Sequence, residues 1–456
     1  MQLPSGFKPS KQQVQALMTL EETNDSIFIY GRAGSGKTTF IEYFRKNTKK
    51  NFVTLTFTGL AAVLIKGQTI HSFFQFPPRT LLKDDPDVKV LSKRIAQIKS
   101  LDILFIDEIS TVSCDVLHSI DSVLREYRDV NKPFGGIQIV FVGDIFQIAP
   151  VPPKGMNENQ AFSNDYKSIW FFDCEGYVEL NPTFVEFEWI HRHLDKGFRD
   201  KLEAIRRNDI DANILNYFNE KVNVPIPPSS IALCATNAQV DNYNINYMDQ
   251  IDHKEIRFLG ESKNFKESEM PTDKELVLKK SARIMILKND SQGRWVNGTF
   301  AVITELTPTS IKIKIILSND KYSKEYEIHP DKWEKYDYQL VKDEEAKKDR
   351  YKPMVIGYFK QYPIRVARAT TIHKSQGQTF ENVLVDFGSR GAFAHGQAYV
   401  ALTRVKAHDG LFLKVPLKES DIRFDPRVIN FYKQHFTDTL FDQPKGTEPT
   451  ETIVPF

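Results

Sequence analysis

Along the first third of the chain, largely apolar runs alternate with segments in which apolar residues recur at helical spacing. Residues 26–30 (SIFIY), 52–57 (FVTLTF), 101–106 (LDILFI) and 137–142 (IQIVFV) read as strands. A strand that is apolar on both faces must be covered on both faces, which is the situation of a parallel sheet between helices. The helix 38–46 follows the first run after a Gly-rich turn. The pattern predicts an α/β doubly wound domain whose ligands sit at the carboxyl ends of its strands. Between 76 and 98 it breaks into prolines and mixed charge (PPRTLLKDDPDVKVLSKRI). That stretch predicts a small inserted subdomain at 77–98.

A second α/β pattern begins near Tyr177. It comprises a helix over 198–207, strand 231–235 (IALCA), a helix from about Asn237, and strands 364–369, 383–386 and 411–415. Residues 282–361 interrupt it. ARIMILKND, GTFAVITEL and SIKIKIIL are short alternating strands, joined by turn residues such as Gln292-Gly293 and Asn297-Gly298. They predict an antiparallel meander or small barrel. The expected division is a first domain over 1–180, a second over 181–280 and 364–440, the β insertion over 281–363, and a Pro/Thr/Glu-rich tail over 441–456 expected to be disordered.

The length of 456 residues suits about three domains at ~150 residues each. Mean hydropathy is −0.39, and every apolar run stops well short of the ~18 residues of a membrane-spanning helix. Lys+Arg (61) nearly cancel Asp+Glu (59), and a basic groove can lie within such a balanced total. Cys114, Cys174 and Cys234 are too few and too scattered for a disulfide scaffold or metal cage, and read as reduced thiols. The opening MQLPSGFKPSKQQ has neither an apolar core nor an Arg-rich face. The expectation is a cytoplasmic protein of bacterial or phage type rather than a nuclear or mitochondrial one.

The chemistry begins at Gly31-Arg-Ala-Gly-Ser-Gly-Lys37-Thr38, a complete G-x-x-x-x-G-K-T between a strand and a helix. Glycines let the backbone curl so that its N–H groups surround a phosphate at a helix N-terminus. Gly34, Ser35, Gly36, Lys37, Thr38 and Thr39 are the expected phosphate-binding set for ATP, with Lys37 reaching the β- and γ-phosphates. Asp107-Glu108 closes the LDILFI strand. There Asp107 and the Thr38 hydroxyl suit Mg²⁺, and Glu108 suits acceptance of a proton from the attacking water. Gln147, just after the next strand end at Gly143-Asp144, can hydrogen-bond both the γ-phosphate and that water. Upstream, the Gln13 amide has a donor and an acceptor that match the adenine edge.

These residues, with TFTGLAA (56–62), TIHSFF (69–74), DEIS (107–110), GDIFQIAP (143–150), TIHKSQGQTF (371–380) and YVALTRVK (399–406), resemble the ordered motif series of superfamily-1 helicases. The PIF family of 5′→3′ DNA helicases is the nearest match, over about residues 10–415. The resemblance implies two tandem RecA-like parallel-sheet domains, with a small inserted β-rich domain in the second and a short excursion in the first. One element departs: where that family shows Tyr-Arg-Gln, this chain reads Ile190-His191-Arg192-His193, and Arg192 is the matching phosphate contact. Arg404, late in the chain, meets the physical need for a cation reaching the γ-phosphate from the second domain, and the resemblance gives it that role. Gly396 and Gln397 are expected beside it, and Gln376 and Gly377 nearest the cleft.

Thr371, His373 and Lys374 supply donors without acids, suited to strand phosphates. Thr56, Thr58, Gly59 and His71 suit backbone contacts, and Phe73, since two adjacent phenylalanines were not both expected to face a core, suits a stacked base. The lysine-rich stretches at 279–280 and 342–352 read as solvated faces. The resemblance implies an ATP-dependent 5′→3′ helicase. It would act as a monomer on single-stranded DNA and single–double-strand junctions, with no membrane partner and with four-stranded guanine structures as a further substrate class. The alternative is an ATP-switched single-strand clamp without strand separation. A small-molecule kinase is argued against by the second domain and its late arginine.

Overall fold

A computed structural model describes residues 9–436, apart from residues 33, 78, 91, 152–155, 188–194, 296, 318–320 and 344–347. The first sheet is built from β1 (Ile27–Gly31), β2 (Phe52–Thr56), β3 (Gln68–Thr69), β4 (Ile103–Asp107), β5 (Gln138–Gly143) and β6 (Thr183–Phe187). All its pairings are parallel, in the order β3-β2-β4-β5-β1-β6. The apolar runs are explained by what each face meets. Ile27, Ile29, Ile103 and Phe105 pack under α1 (Lys11–Glu22) and α2 (Lys37–Asn47), while Phe28, Tyr30, Leu104 and Ile106 join the core on the opposite face. Ser10 caps α1 through a reciprocal pair with Gln13.

The second parallel sheet contains β7 (Ile231–Cys234), with β18 (Ala369–Thr371), β19 (Val383–Asp386) and β20 (Leu411–Leu413), in the order β18-β7-β19-β20. Between β7 and β18 lie antiparallel sheets. β8 (Glu255–Leu259) pairs with β10 (Glu275–Lys279), and β9 (Glu261–Lys263) pairs with the long hairpin of β15 (Asp331–Asp343) and β16 (Lys348–Gln361). A five-stranded meander joins β11 (Arg283–Ile286), β12 (Phe300–Leu306), β13 (Ile311–Ile316) and β14 (Tyr322–Ile328) to β17 (Ile364–Val366). In β13, IKIKII alternates buried isoleucine with half-exposed neighbours, as a sheet covered on one face requires.

Several sequence-based boundaries move. The first sheet runs past residue 180, because β6 pairs with β1 from Thr183 onward. The insertion starts before residue 281, because β8, β9 and β10 pair only within its sheets. The expected strand over 364–369 is two strands, β17 pairing with the meander and β18 with the second parallel sheet. Within the 77–98 stretch, Leu81 and Ile98 are buried in the main core. The helix Pro426–His435, expected in the second domain, lies on the first sheet, with Phe436 4.5 Å from Tyr30 and Phe431 stacked on Phe172 at 4.5 Å. The expected tail over 441–456 lies outside the described residues. Among the described residues, no helix is long and apolar enough to cross a membrane.

Candidate active site

The phosphate loop is the turn from β1 into α2. Gly34 and Gly36 take φ of 89° and 85°, a region where a side chain is strained, and Gly36 is the N-cap of α2. Lys37 donates from Nζ to the carbonyls of Gly31 and Arg32, so its ammonium folds back over the loop. Ser35 Oγ is buried without a hydrogen-bond partner among the described residues. A lysine, an open hydroxyl and a helix N-terminus together fit a phosphate group. Gln13 is buried beside Gly36, and its Oε1 accepts the Ser10 N–H at 3.0 Å, which holds the amide in place and leaves Nε2 and one oxygen lone pair for an adenine edge.

Asp107 ends β4, and Glu108 follows in a left-handed conformation (φ 51°) uncommon for a residue with a side chain. The Glu108 N–H donates to Asp107 Oδ1 at 2.9 Å. Gly143 of β5 approaches this turn so closely that a Cβ there would lie 2.9 Å from Ile109. Burial raises the Asp107 pKa. Burial, reinforced by the Asp107 charge, lifts Glu108 to about 7 against the pull of Lys37 and Arg404. A carboxyl poised near neutrality is suited to accept a proton from water. Thr38 and Asp107 line the same cleft, and a hydroxyl with a buried carboxylate is the hard-oxygen donor set that magnesium takes. Neither Asp107 nor Glu108 has an ion pair among the described residues, so a cation fits there electrostatically.

The opposite wall belongs to the second domain. Arg404 is buried and donates to the carbonyls of Val400 (2.9 Å), Ser375 (3.2 Å) and Gln378 (3.2 Å) and to Thr403 Oγ1 (2.9 Å). It lines the cleft with Gly377, facing Lys37, Glu108 and Gln147. Gln147 Nε2 and the Tyr399 hydroxyl both donate to Asp144 Oδ2, at 3.3 and 3.4 Å, which bridges the two domains. Gly396 (φ 67°) presses on the carbonyls of Phe146 and Gln147, leaving no space for a Cβ.

A groove runs from this cleft. Thr58 and Gly59 line it from the first domain, and His373, Lys374, Gln376 and Gln378 from the second. Thr38, Thr39, Asp107, Glu108 and Gly377 line both groove and cleft. Gln376 therefore faces the groove, while Gly377 reaches both. Thr371 is buried, and its Oγ1 accepts the Lys374 N–H at 3.2 Å, fixing the turn that presents His373 and Lys374.

Three expected contacts are not on the groove surface. Phe73 and Phe74 are both fully buried: Phe74 stacks on Phe76 at 5.2 Å, and Arg94 lies 5.2 Å above the Phe73 ring. Adjacent helical positions are only about 100° apart, and the short helix Ile70–Phe74 is enclosed widely enough to bury both. The aromatic at the groove is instead Phe57, and His71 holds it edge-on at 5.4 Å rather than facing the groove itself. Thr56 is buried in register with Asp107 and Thr69. Arg192 lies outside the described residues. Ser110 in the cleft and Arg365 in the groove were missed; Ser110 closes the DEIS motif, a signal that could have found it, whereas Arg365 stands in none of the motifs.

Residues 10–208 match the model of the PIF1-like helicase family. The chain is 28% identical to the ATP-dependent DNA helicase Pif1 of Bdellovibrio bacteriovorus, over 93% of this chain and 92% of that protein. It superposes on Pif1 from Bacteroides sp in complex with ADP-AlF4 with a TM-score of 0.84 and 27% identity, covering 94% of this chain and 97% of that one. For Bacteroides Pif1 bound to ssDNA the TM-score is 0.67, with 28% identity over 94% and 97% of the two chains. The chain is thus similar to the PIF1-like helicases in sequence over residues 10–208 and to solved Pif1 helicases in architecture over nearly its whole length.

Proposed function

We propose that this protein is a motor that hydrolyses ATP to move 5′→3′ along single-stranded DNA and to separate the duplex ahead of it. The observation that carries this reading is the shared wall: Thr38, Thr39, Asp107, Glu108 and Gly377 line both the nucleotide cleft and the groove. A change in what Glu108 or Gly377 touches on one side is felt on the other. The complex of the Bacteroides relative with ssDNA supports assigning the groove to a strand.

In this reading the loop N–H groups and Lys37 bind the β- and γ-phosphates, and Gln147 orients water against the γ-phosphate. Glu108 takes that water's proton, and Arg404 stabilises the charge developing on the transferred group. Thr38 and Asp107 would hold magnesium, which neutralises phosphate charge when bound. The Asp144 bridge to Gln147 and Tyr399 lets the second domain register whether the γ-phosphate is present. Thr58, Gly59, His373 and Lys374 hold the strand by its backbone.

The test is ATP hydrolysis with and without single-stranded DNA, beside unwinding of 5′-tailed and 3′-tailed duplexes and of a 5′-tailed guanine quadruplex. Strand-stimulated hydrolysis with unwinding of the 5′-tailed substrates is expected. Stimulation without unwinding of any substrate would favour an ATP-switched clamp.

A further inference from the structure

We propose that Arg365 is a strand-phosphate contact that ties the insertion side of the groove to the segment leading into the nucleotide cleft. This rests on the strand-binding reading above. Arg365 sits on β17, opposite Met285 of β11, where the insertion's meander hands the chain back to the second parallel sheet. Its side chain lines the groove. Its hydrogen bond runs from Nη2 to Thr370 Oγ1 at 3.3 Å, and it has no ion pair among the described residues.

A guanidinium in that position lacks its natural complement. Half-buried in the groove wall, it has its pKa drawn down to about 10 by loss of water, opposed only by the charge of Asp273. Removing a cation from water without a paired anion is costly, and a phosphate supplies both the charge and two oxygens that match the guanidinium fork. Two further polar atoms of groove-lining residues are buried without partners among the described residues, Gln378 Oε1 and Asn297 Oδ1. Both are acceptors. A ligand that satisfies all three carries an anion together with N–H or O–H donors, as a nucleic acid strand does in its phosphates and bases. Arg365 is also wired to the cleft: Thr370 lies in β18, and the chain runs on through His373 and Lys374 to Gly377, which lines both sites.

Acidic residues share this part of the groove: Asp273 is exposed, next to Thr272, which donates to the Ile364 carbonyl, and Glu267 and Glu275 line the same groove. Their field repels a phosphate, and Arg365, with Lys274 of the same groove, counters it.

The experiment is anisotropy of a labelled oligothymidine strand titrated with the full-length protein across a range of salt. Arg365→Gln is expected to bind about tenfold more weakly at 0.1 M salt. Its log K against log salt should be shallower by about 0.7, the loss of one single-strand phosphate contact. Arg365→Lys keeps the charge and should keep the wild-type slope while losing part of the affinity. A wild-type slope in Arg365→Gln, or an equal loss of slope in Arg365→Lys, overturns the proposal. Should Arg365→Gln melt below the assay temperature, the exposed Asp273→Asn reads the same field. It should bind about threefold more tightly, and unchanged affinity overturns the proposal. A wild-type protein that bound no strand would defeat the strand-binding reading itself, and is distinguishable from either result.

Discussion

Arg32 of the phosphate loop and Glu203 of the helix Lys196–Arg207 form an ion pair, with Nε 3.0 Å from Oε1. Arg206, fully buried on the same helix, donates from Nε and Nη2 to Glu203 Oε2 at 3.1 and 2.9 Å. It also donates to the hydroxyls of Tyr30 and Tyr432, and its guanidinium lies 5.1 Å from the Phe146 ring. Tyr30 directly precedes Gly31, and Phe146 directly precedes Gln147, so one charge cluster supports two walls of the cleft. Burial alone would raise the Glu203 pKa, but Arg206 and Arg32 outweigh it and hold the carboxylate ionised.

This cluster makes Arg206 a stability determinant. Arg206→Ala removes the buried partner of the half-buried Glu203, and should cost about 3 kcal/mol of unfolding free energy, the low end for a broken buried pair. Arg206→Met with Glu203→Gln removes charge and countercharge together and should recover a substantial part of that loss. Denaturant unfolding of the variants checks it. A loss under about 1 kcal/mol for Arg206→Ala would show that water replaces the pair.

Glu108 sets a pH dependence. Its pKa near 7 means that the proton acceptor is lost as pH falls through neutrality, so turnover should decline on the acid side with an apparent pKa near 7. Glu108→Gln should lower turnover by at least ~10²-fold, leave ATP binding in place, and flatten the profile. The sign for stability is opposite. From about pH 4.5 to about 7 the folded protein keeps a proton on Glu108 that the unfolded chain has released, so this group's contribution to stability falls as pH rises. Glu108→Gln should therefore raise the melting temperature more at pH 8 than at pH 5. Equal shifts at the two pH values would mean that Glu108 titrates as an ordinary exposed carboxyl.

How far the site was legible follows from what each residue needs of its surroundings. Gly34, Gly36, Lys37 and Asp107-Glu108 are fixed by local backbone geometry, a turn into a helix and a strand end, and local geometry is what periodicity and glycine spacing encode. Phe73 and Thr56 were misread because their burial is decided by segments distant in sequence: Arg94 covers the Phe73 ring, and Thr56 lies in register with Asp107. Arg365 and the Arg206 cluster were not seen at all. Their meaning depends on Thr370 and Asp273 in one case and Tyr30 and Tyr432 in the other, partners that no spacing rule connects. The boundaries moved for the same reason, since β6 and β8 declare their sheets only by pairing.

His373 and Lys374 are both exposed on the groove, on a turn held by Thr371 Oγ1. His373→Ala and Lys374→Ala should each weaken single-strand binding with little dependence on sequence, and Lys374→Ala should also flatten the salt dependence. Thr371→Val should weaken binding indirectly, by releasing the turn while keeping the side-chain shape. Anisotropy titrations at several salt concentrations measure all three. If His373→Ala and Lys374→Ala leave both affinity and slope at wild-type values, the segment is a spacer between sheet and cleft rather than a grip on the strand.

Arg404 carries the coupling claim, and the structure adds a complication. Its guanidinium already spans the carbonyls of Ser375, Gln378 and Val400, so it braces the very segment that reaches both groove and cleft. To meet a γ-phosphate it must release some of these bonds, and that exchange is a means by which nucleotide state reaches Gly377 and Lys374. Arg404→Ala should still bind ATP through the first domain's loop, yet lose turnover by ~10³-fold or more. Its strand affinity should be the same with a non-hydrolysable ATP analogue as with ADP. Arg404→Lys separates charge from bracing: a lysine can reach a phosphate but cannot span three carbonyls. It should recover some turnover while the difference in strand affinity between the two nucleotides stays lost. Anisotropy of labelled strand under each nucleotide, beside steady-state hydrolysis, resolves the two effects. A full wild-type nucleotide response in Arg404→Ala would place the coupling on another residue, and Asp144, bonded to both Gln147 and Tyr399, is the next bridge to cut.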